Sequence, residues 1–64
     1  MIINGKPVAL PAAISLSELL EQQGYKATQV AVECNGCIVR RSDYASTRLT
    51  DADNLEIVSF VGGG

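Results

Sequence analysis

Two Asn-Gly dipeptides, Asn4-Gly5 and Asn35-Gly36, each stand between short apolar runs, and they narrow what this chain can become. A two-residue hairpin turn of type I′ needs positive φ at both central residues, and asparagine followed by glycine meets that demand at least cost. The flanks of the second dipeptide, Val30-Ala31-Val32-Glu33-Cys34 and Cys37-Ile38-Val39, therefore read as paired strands. Ile2-Ile3 and Pro7-Val8-Ala9-Leu10 make a second hairpin around the first dipeptide. Pro7 has no amide hydrogen for a ladder, which puts its strand at a sheet edge. Two hairpins in so short a chain make a sheet that needs a cover.

The cover lies between them. Pro11-Ala12-Ala13 breaks the strand pattern, and Ser15 with Glu18 forms a capping box at the start of a helix. Leu16, Leu19 and Leu20 recur at helical spacing and make one apolar stripe. Gly24 suits the left-handed stop after Gln23. The resulting helix is too short to stand without packing, so its stripe belongs against the sheet. Ser42 to Thr50 has no clear period and reads as an ordered loop with a helical turn near Tyr44. Asp51-Ala52-Asp53-Asn54 is a turn cluster that launches a last strand, Leu55 to Val61. The order strand, strand, helix, strand, strand, strand predicts an α+β fold: a sheet of four to five strands with one main helix on one face. At 64 residues there is room for one domain, taken as residues 1–61, followed by a flexible glycine tail at 62–64.

Charge and residue types exclude several chemistries. A net charge of -2 with no Lys or Arg run argues against nucleic acid as a partner. With no His and two Cys, the chain cannot build a four-ligand zinc site, a Cys-His pair or a serine-histidine triad, so no metal is expected. No apolar run approaches the roughly 18 residues that span a bilayer, and Met1-Ile2-Ile3-Asn4 lacks the basic start of a signal segment. A soluble cytoplasmic protein, with no membrane partner, is the expectation. Glu18 serves the helix cap and Asp51 and Asp53 the turn, without a paired-carboxylate geometry, and no carboxylate is nominated as catalytic.

The chemistry then falls to Gly62, Gly63 and Gly64. Taken alone, such an end is most often frayed. Three extended glycines reach roughly 10 Å, and without Cβ atoms they enter channels too narrow for other residues. A glycine carboxylate is also the least hindered acyl group a protein can offer. On the strand that leads to it, Leu55, Ile57, Ser59 and Val61 alternate with Glu56, Val58 and Phe60. With the first set toward the helix, Val58 and Phe60 lie on the open face, beside the tail, as a partner-binding patch. Cys34-Asn35-Gly36-Cys37 is formally C-x-x-C, but it caps a hairpin rather than a helix, and its cysteines read as small apolar residues near a turn. Arg40, Arg41 and Arg48 read as solvated charges.

The Leu16-Ser17-Glu18-Leu19-Leu20 helix, Asn35-Gly36 followed by Ile38-Val39 and Arg41, Ala52-Asp53, Glu56-Ile57-Val58 and Gly63-Gly64 occur in an order that resembles the ThiS family of sulfur carriers over essentially the whole chain. Ala52, Arg40 and Cys37 depart from that pattern, none of them in the tail. The resemblance implies a ubiquitin-like β-grasp fold, a mixed sheet with its first and last strands adjacent and parallel. It implies a protein cosubstrate rather than an enzyme, with no cofactor bound. A ThiF-like adenylyltransferase would use ATP to activate the Gly64 carboxylate. A sulfur donor, of the cysteine desulfurase type or similar, would convert it to a thiocarboxylate, which would serve a ThiG-like thiazole synthase in thiamine biosynthesis. The alternatives are a MoaD-like carrier for molybdopterin synthesis, a ubiquitin-like modifier, and a β-grasp adaptor with an inert tail.

Overall fold

Both Asn-Gly turns form with the backbone that their residues favour: φ is 52° and 81° at Asn4 and Gly5, and 53° and 85° at Asn35 and Gly36. The structure is a computed structural model and describes residues 1–10 and 12–60. The first turn joins strands β1 (Ile2–Ile3) and β2 (Lys6–Pro7); then come β3 (Ile14–Ser15) and helix α1 (Leu16–Gln22). The second turn joins β4 (Val30–Cys34) to β5 (Cys37–Val39), and the chain ends its described course with β6 (Arg48–Leu49) and β7 (Asn54–Ser59).

Five strands make one mixed sheet in the order β2-β1-β7-β4-β5. β7 lies at its centre, parallel to β1 and antiparallel to β4. Pro7 sits on the edge strand, where its missing amide costs no ladder bond. Sequence pattern alone did not place β3 and β6, which pair as a separate two-stranded ladder at the start of the helix. They are two residues each, too short to show a period.

α1 is built as its termini require. Ser15 Oγ accepts from the Glu18 amide at 3.1 Å, and Glu18 Oε1 accepts from the Ser15 amide at 3.3 Å. The carbonyls of Thr47 and Tyr44 take the amides of Leu16 and Ser17, so loop 42–50 caps the helix as well. At the other end Gly24 stands at φ 82°; its amide donates to the Glu21 carbonyl and that of Tyr25 to the Leu20 carbonyl, the Schellman arrangement.

Leu16, Leu19 and Leu20 are buried to 1% exposure or less, against Ile3, Val30, Val32, Leu55 and Ile57 of the sheet. Leu49, Tyr44 and Met1 complete this core. Tyr44 follows a short 3-10 turn, Arg41–Asp43, and its hydroxyl donates to the Val30 carbonyl at 3.4 Å inside the core. The helical turn expected near Tyr44 is therefore present, and it carries a core residue. A second 3-10 turn, Ala27–Gln29, leads into β4. Among the described residues no helix is long and apolar enough to cross a membrane.

Candidate functional site

The site is organised around β7, the strand from which the glycine-rich end continues. Leu55 and Ile57 point into the core, whereas Glu56 and Val58 face away from it. This is the expected alternation, and it ends at Ile57: Ser59, assigned by parity to the covered face, is exposed at the end of the sheet. The strand itself stops at Ser59, with Phe60 just beyond it and held by its amide, which donates to the Gln29 carbonyl at 2.8 Å. Val61, Gly62, Gly63 and Gly64, and the Pro11 break, lie outside the described residues.

Val58 is 58% exposed and Phe60 47%, so both nominated patch residues are open to solvent. The register adds neighbours. Val58 is opposite Ala31 on β4, Glu56 is opposite Glu33, and Glu33 is opposite Ile38 on β5, which is 77% exposed. Ile2, on β1 beside Asn54, is also exposed. The open face thus carries Ile2, Ile38, Val58 and Phe60 around a facing pair of glutamates. Ile38 could have been found from sequence: a two-residue turn at Asn35-Gly36 puts it directly across from Glu33, a residue the alternation sends to solvent. Large apolar residues exposed together on one side of a small domain make that side the candidate surface for a partner.

Two asparagines fix β7 in place. Asn4 donates from Nδ2 to the Ile57 carbonyl at 3.2 Å and accepts the Ile57 amide at 2.7 Å. Asn35 accepts the Asn54 amide at 3.0 Å and donates from Nδ2 to Asp53 Oδ1, also at 3.0 Å. Asp53 in turn accepts the Thr50 amide at 2.8 Å. The hydrogen bond from Asn35, followed by that from Thr50, lowers the Asp53 carboxyl below its usual range. Asp53 therefore serves the turn, as the sequence implied, and Glu18 the cap.

The cysteines divide. Cys34 packs against the core and its thiol pKa is raised, first by burial and then by the charges of Asp53 and Cys37. Both flank the turn as read from the sequence; Cys37 is exposed, and only Cys34 contributes to the core. Arg40, Arg41 and Arg48 are exposed, as solvated charges should be. Among the described residues there is no cluster of three or more His, Cys, Asp or Glu that could hold a metal ion. A shallow depression of about 360 Å³ beside Glu18, Glu21 and Gln22 lies on the helix, across the sheet from Val58 and Phe60.

A sequence model of the ThiS family matches residues 1–64. The crystal structure of a thiamine biosynthesis protein, ThiS, from Geobacter metallireducens superposes with a TM-score of 0.83 at 33% identity, covering 98% of this chain and 96% of that one. The mixed five-stranded sheet with its helix is thus the expected β-grasp fold. A thiazole synthase from Paramagnetospirillum magneticum is 42% identical over all 64 residues, and this chain spans 20% of its length. An uncharacterized protein, ycf40, from Pyropia yezoensis is 40% identical over 62 residues, 97% of this chain and 87% of that one.

Proposed function

This chain belongs to the ThiS family, and from that premise we propose that it is a sulfur carrier for thiamine biosynthesis whose reactive group is the Gly64 carboxylate. The observation that supports this reading is the central strand β7, with the exposed side chains of Val58 on it and Phe60 just past its end, immediately before the glycine-rich end. The body supplies a surface that partners can grip, and the end supplies the acyl group.

A carboxylate is a poor electrophile because its leaving group would be oxide. In the proposed reaction a ThiF-like adenylyltransferase directs a Gly64 oxygen onto the α-phosphorus of ATP, and pyrophosphate leaves. The acyl adenylate then presents AMP as the leaving group. The terminal sulfur of a persulfide on a cysteine desulfurase-type or similar donor attacks the carbonyl carbon and AMP departs with one former carboxylate oxygen; a second thiol of the donor or partner then attacks the donor-side sulfur of the acyl disulfide, forming a disulfide and releasing the thiocarboxylate. ATP and its metal belong to the partner. The carrier acts as a cosubstrate, with Gly62 and Gly63 passing through the partner's channel because neither has a Cβ. Val58 and Phe60 seat the partner beside that channel.

A thiazole synthase is the proposed acceptor of the sulfur. The similarity of the whole chain to about a fifth of the Paramagnetospirillum magneticum thiazole synthase supports that choice over a molybdopterin pathway.

Intact-mass analysis after incubation of the full chain with ATP, a ThiF-like enzyme and a sulfur source tests the reading. The expected result is the gain that accompanies exchange of one oxygen for sulfur, lost on deletion of Gly64. An unchanged mass, with an enzyme shown to be active on its own carrier, overturns it. Phe60→Ala should fold normally and engage the activating enzyme more weakly; engagement equal to that of the parent would remove the patch from the proposal.

A further inference from the structure

Cys34 and Cys37 are direct partners across the Asn35-Gly36 turn, in the register that also sets Cys34 opposite Leu55. Residues facing each other in an antiparallel pair stand about 4.5–5.5 Å apart at Cα, with side chains on the same side of the sheet. That separation falls within the range of about 4.4–6.8 Å that a disulfide spans without backbone movement. Both thiols are free, and they differ in exposure: Cys37 is open to solvent while Cys34 is half-buried against the core. The accessible thiol thus sits next to a sheltered one. Neither has a place in the carrier chemistry, because β7 runs away from this turn toward its other end at Ser59.

We propose that Cys34 and Cys37 form a thiol–disulfide exchange site that takes a low-molecular-weight disulfide as its oxidant. Cys37 loses its proton to solvent, and its thiolate attacks one sulfur of the small disulfide. A mixed disulfide forms on Cys37 and one small thiolate leaves. Cys34 then loses its proton and attacks Cys37 Sγ, closing the Cys34–Cys37 bond and expelling the second small thiolate. Two protein thiols are oxidised and one small disulfide is reduced to two thiols, so the electrons balance. Burial raises the Cys34 thiol pKa and shields the group, so the first attack falls to the exposed Cys37. The loop closed by the bond holds only Asn35 and Gly36, already ordered by their turn, so the bond constrains the unfolded chain little. Its role is chemical rather than structural.

The test uses the folded full chain, glutathione disulfide and intact mass. The expected product of the parent has lost two hydrogens, is monomeric and reverts with excess reduced glutathione. In Cys34→Ser, the reaction should stop at one glutathione on Cys37, and that adduct should persist at least ~10-fold longer than in the parent. Cys37→Ser should react more slowly than Cys34→Ser. If the parent instead accumulates a persistent adduct with one glutathione and never loses two hydrogens, or forms only linked dimers, the site does not exist. Because the parent alone can give the overturning result, a variant that misfolds leaves the test intact. Sulfur loading plays no part in it, so its failure is separate from that of the carrier proposal.

Discussion

Asn4 and Ile57 share two hydrogen bonds that stand in for a rung of the sheet: Asn4 Oδ1 accepts the Ile57 amide at 2.7 Å, and Asn4 Nδ2 donates to the Ile57 carbonyl at 3.2 Å. β1 has already ended at Ile3 and its backbone has turned away, with Asn4 at φ 52°. The side chain continues where the main chain stops. Asn35 repeats the device at the opposite end of β7 and on its other side, accepting the Asn54 amide while its own amide donates to the Asn54 carbonyl. Each asparagine therefore supplies a left-handed turn residue and a surrogate strand partner.

Asn4→Gly separates those two roles, since glycine keeps the positive φ and loses only the side-chain bonds. It should lower unfolding stability by about 1–3 kcal/mol. Asn4→Ala should cost roughly 1 kcal/mol more, from the left-handed backbone. Urea midpoints of the three proteins decide the matter: an Asn4→Gly midpoint equal to that of the parent would show that the two bonds contribute nothing.

Asp53 links this framework to pH. Its carboxyl titrates below the usual 3.8, chiefly because Asn35 Nδ2 and then the Thr50 amide donate to the ionised form. A depressed folded-state pKa adds stability that is full above the unfolded value near 3.8 and is lost as pH falls through the lower folded value. Acid unfolding of the parent should thus steepen below 3.8, and Asp53→Asn should flatten that limb. In Asn35→Ala the Asp53 carboxyl resonance should titrate closer to 3.8; an unmoved titration would assign the shift to Thr50 and the N-terminal charge.

The helix supplies a third test. At seven residues α1 cannot persist by propensity, so its capping box and its packing both matter. Ser15→Ala removes the acceptor for the Glu18 amide and should cost about 1 kcal/mol. Glu18→Gln keeps an acceptor for the Ser15 amide and should cost less. Reversal of that order in thermal melts would show that the box stabilises through the charge of Glu18 rather than through the Ser15 hydroxyl.

Most of this architecture is legible along the chain, and the exceptions share a cause. The two turns, the capping box, the Gly24 stop and the Leu16, Leu19, Leu20 stripe are local signals, each set by steric or hydrogen-bonding demands within a few residues. Tyr44 and Leu49 are core residues that no local pattern marks, because they reach the interior from a loop whose path is set by the helix end it caps. The pairing of Ile14 with Leu49 and of Ser15 with Arg48 is likewise long-range. For the candidate site, Val58 and Phe60 follow from parity on one strand, whereas Ile2 joins them only once β1 is known to lie parallel to β7. Gly62–Gly64 remain a reading of the sequence.

The last prediction concerns Glu33 and Glu56, which face each other across β4 and β7 on the open face. Like charges directly opposite in a ladder oppose folding, and no Lys or Arg is paired with either residue among the described ion pairs. Flanked by Val58 and Ile38, the two carboxylates give the proposed docking face a negative centre within an apolar border. A partner surface bearing a cation at that point would relieve the repulsion on binding, so the cost to the free carrier becomes selectivity in the complex. Glu33→Gln should then act in opposite directions on the two properties. Unfolding stability should rise by about 0.2–1 kcal/mol, while association with the activating enzyme should slow and lose part of its dependence on salt. Stopped-flow association at low and high ionic strength, beside a urea titration, reads both. A variant that is more stable and binds as fast as the parent at every salt concentration would leave the apolar residues as the whole of the docking surface.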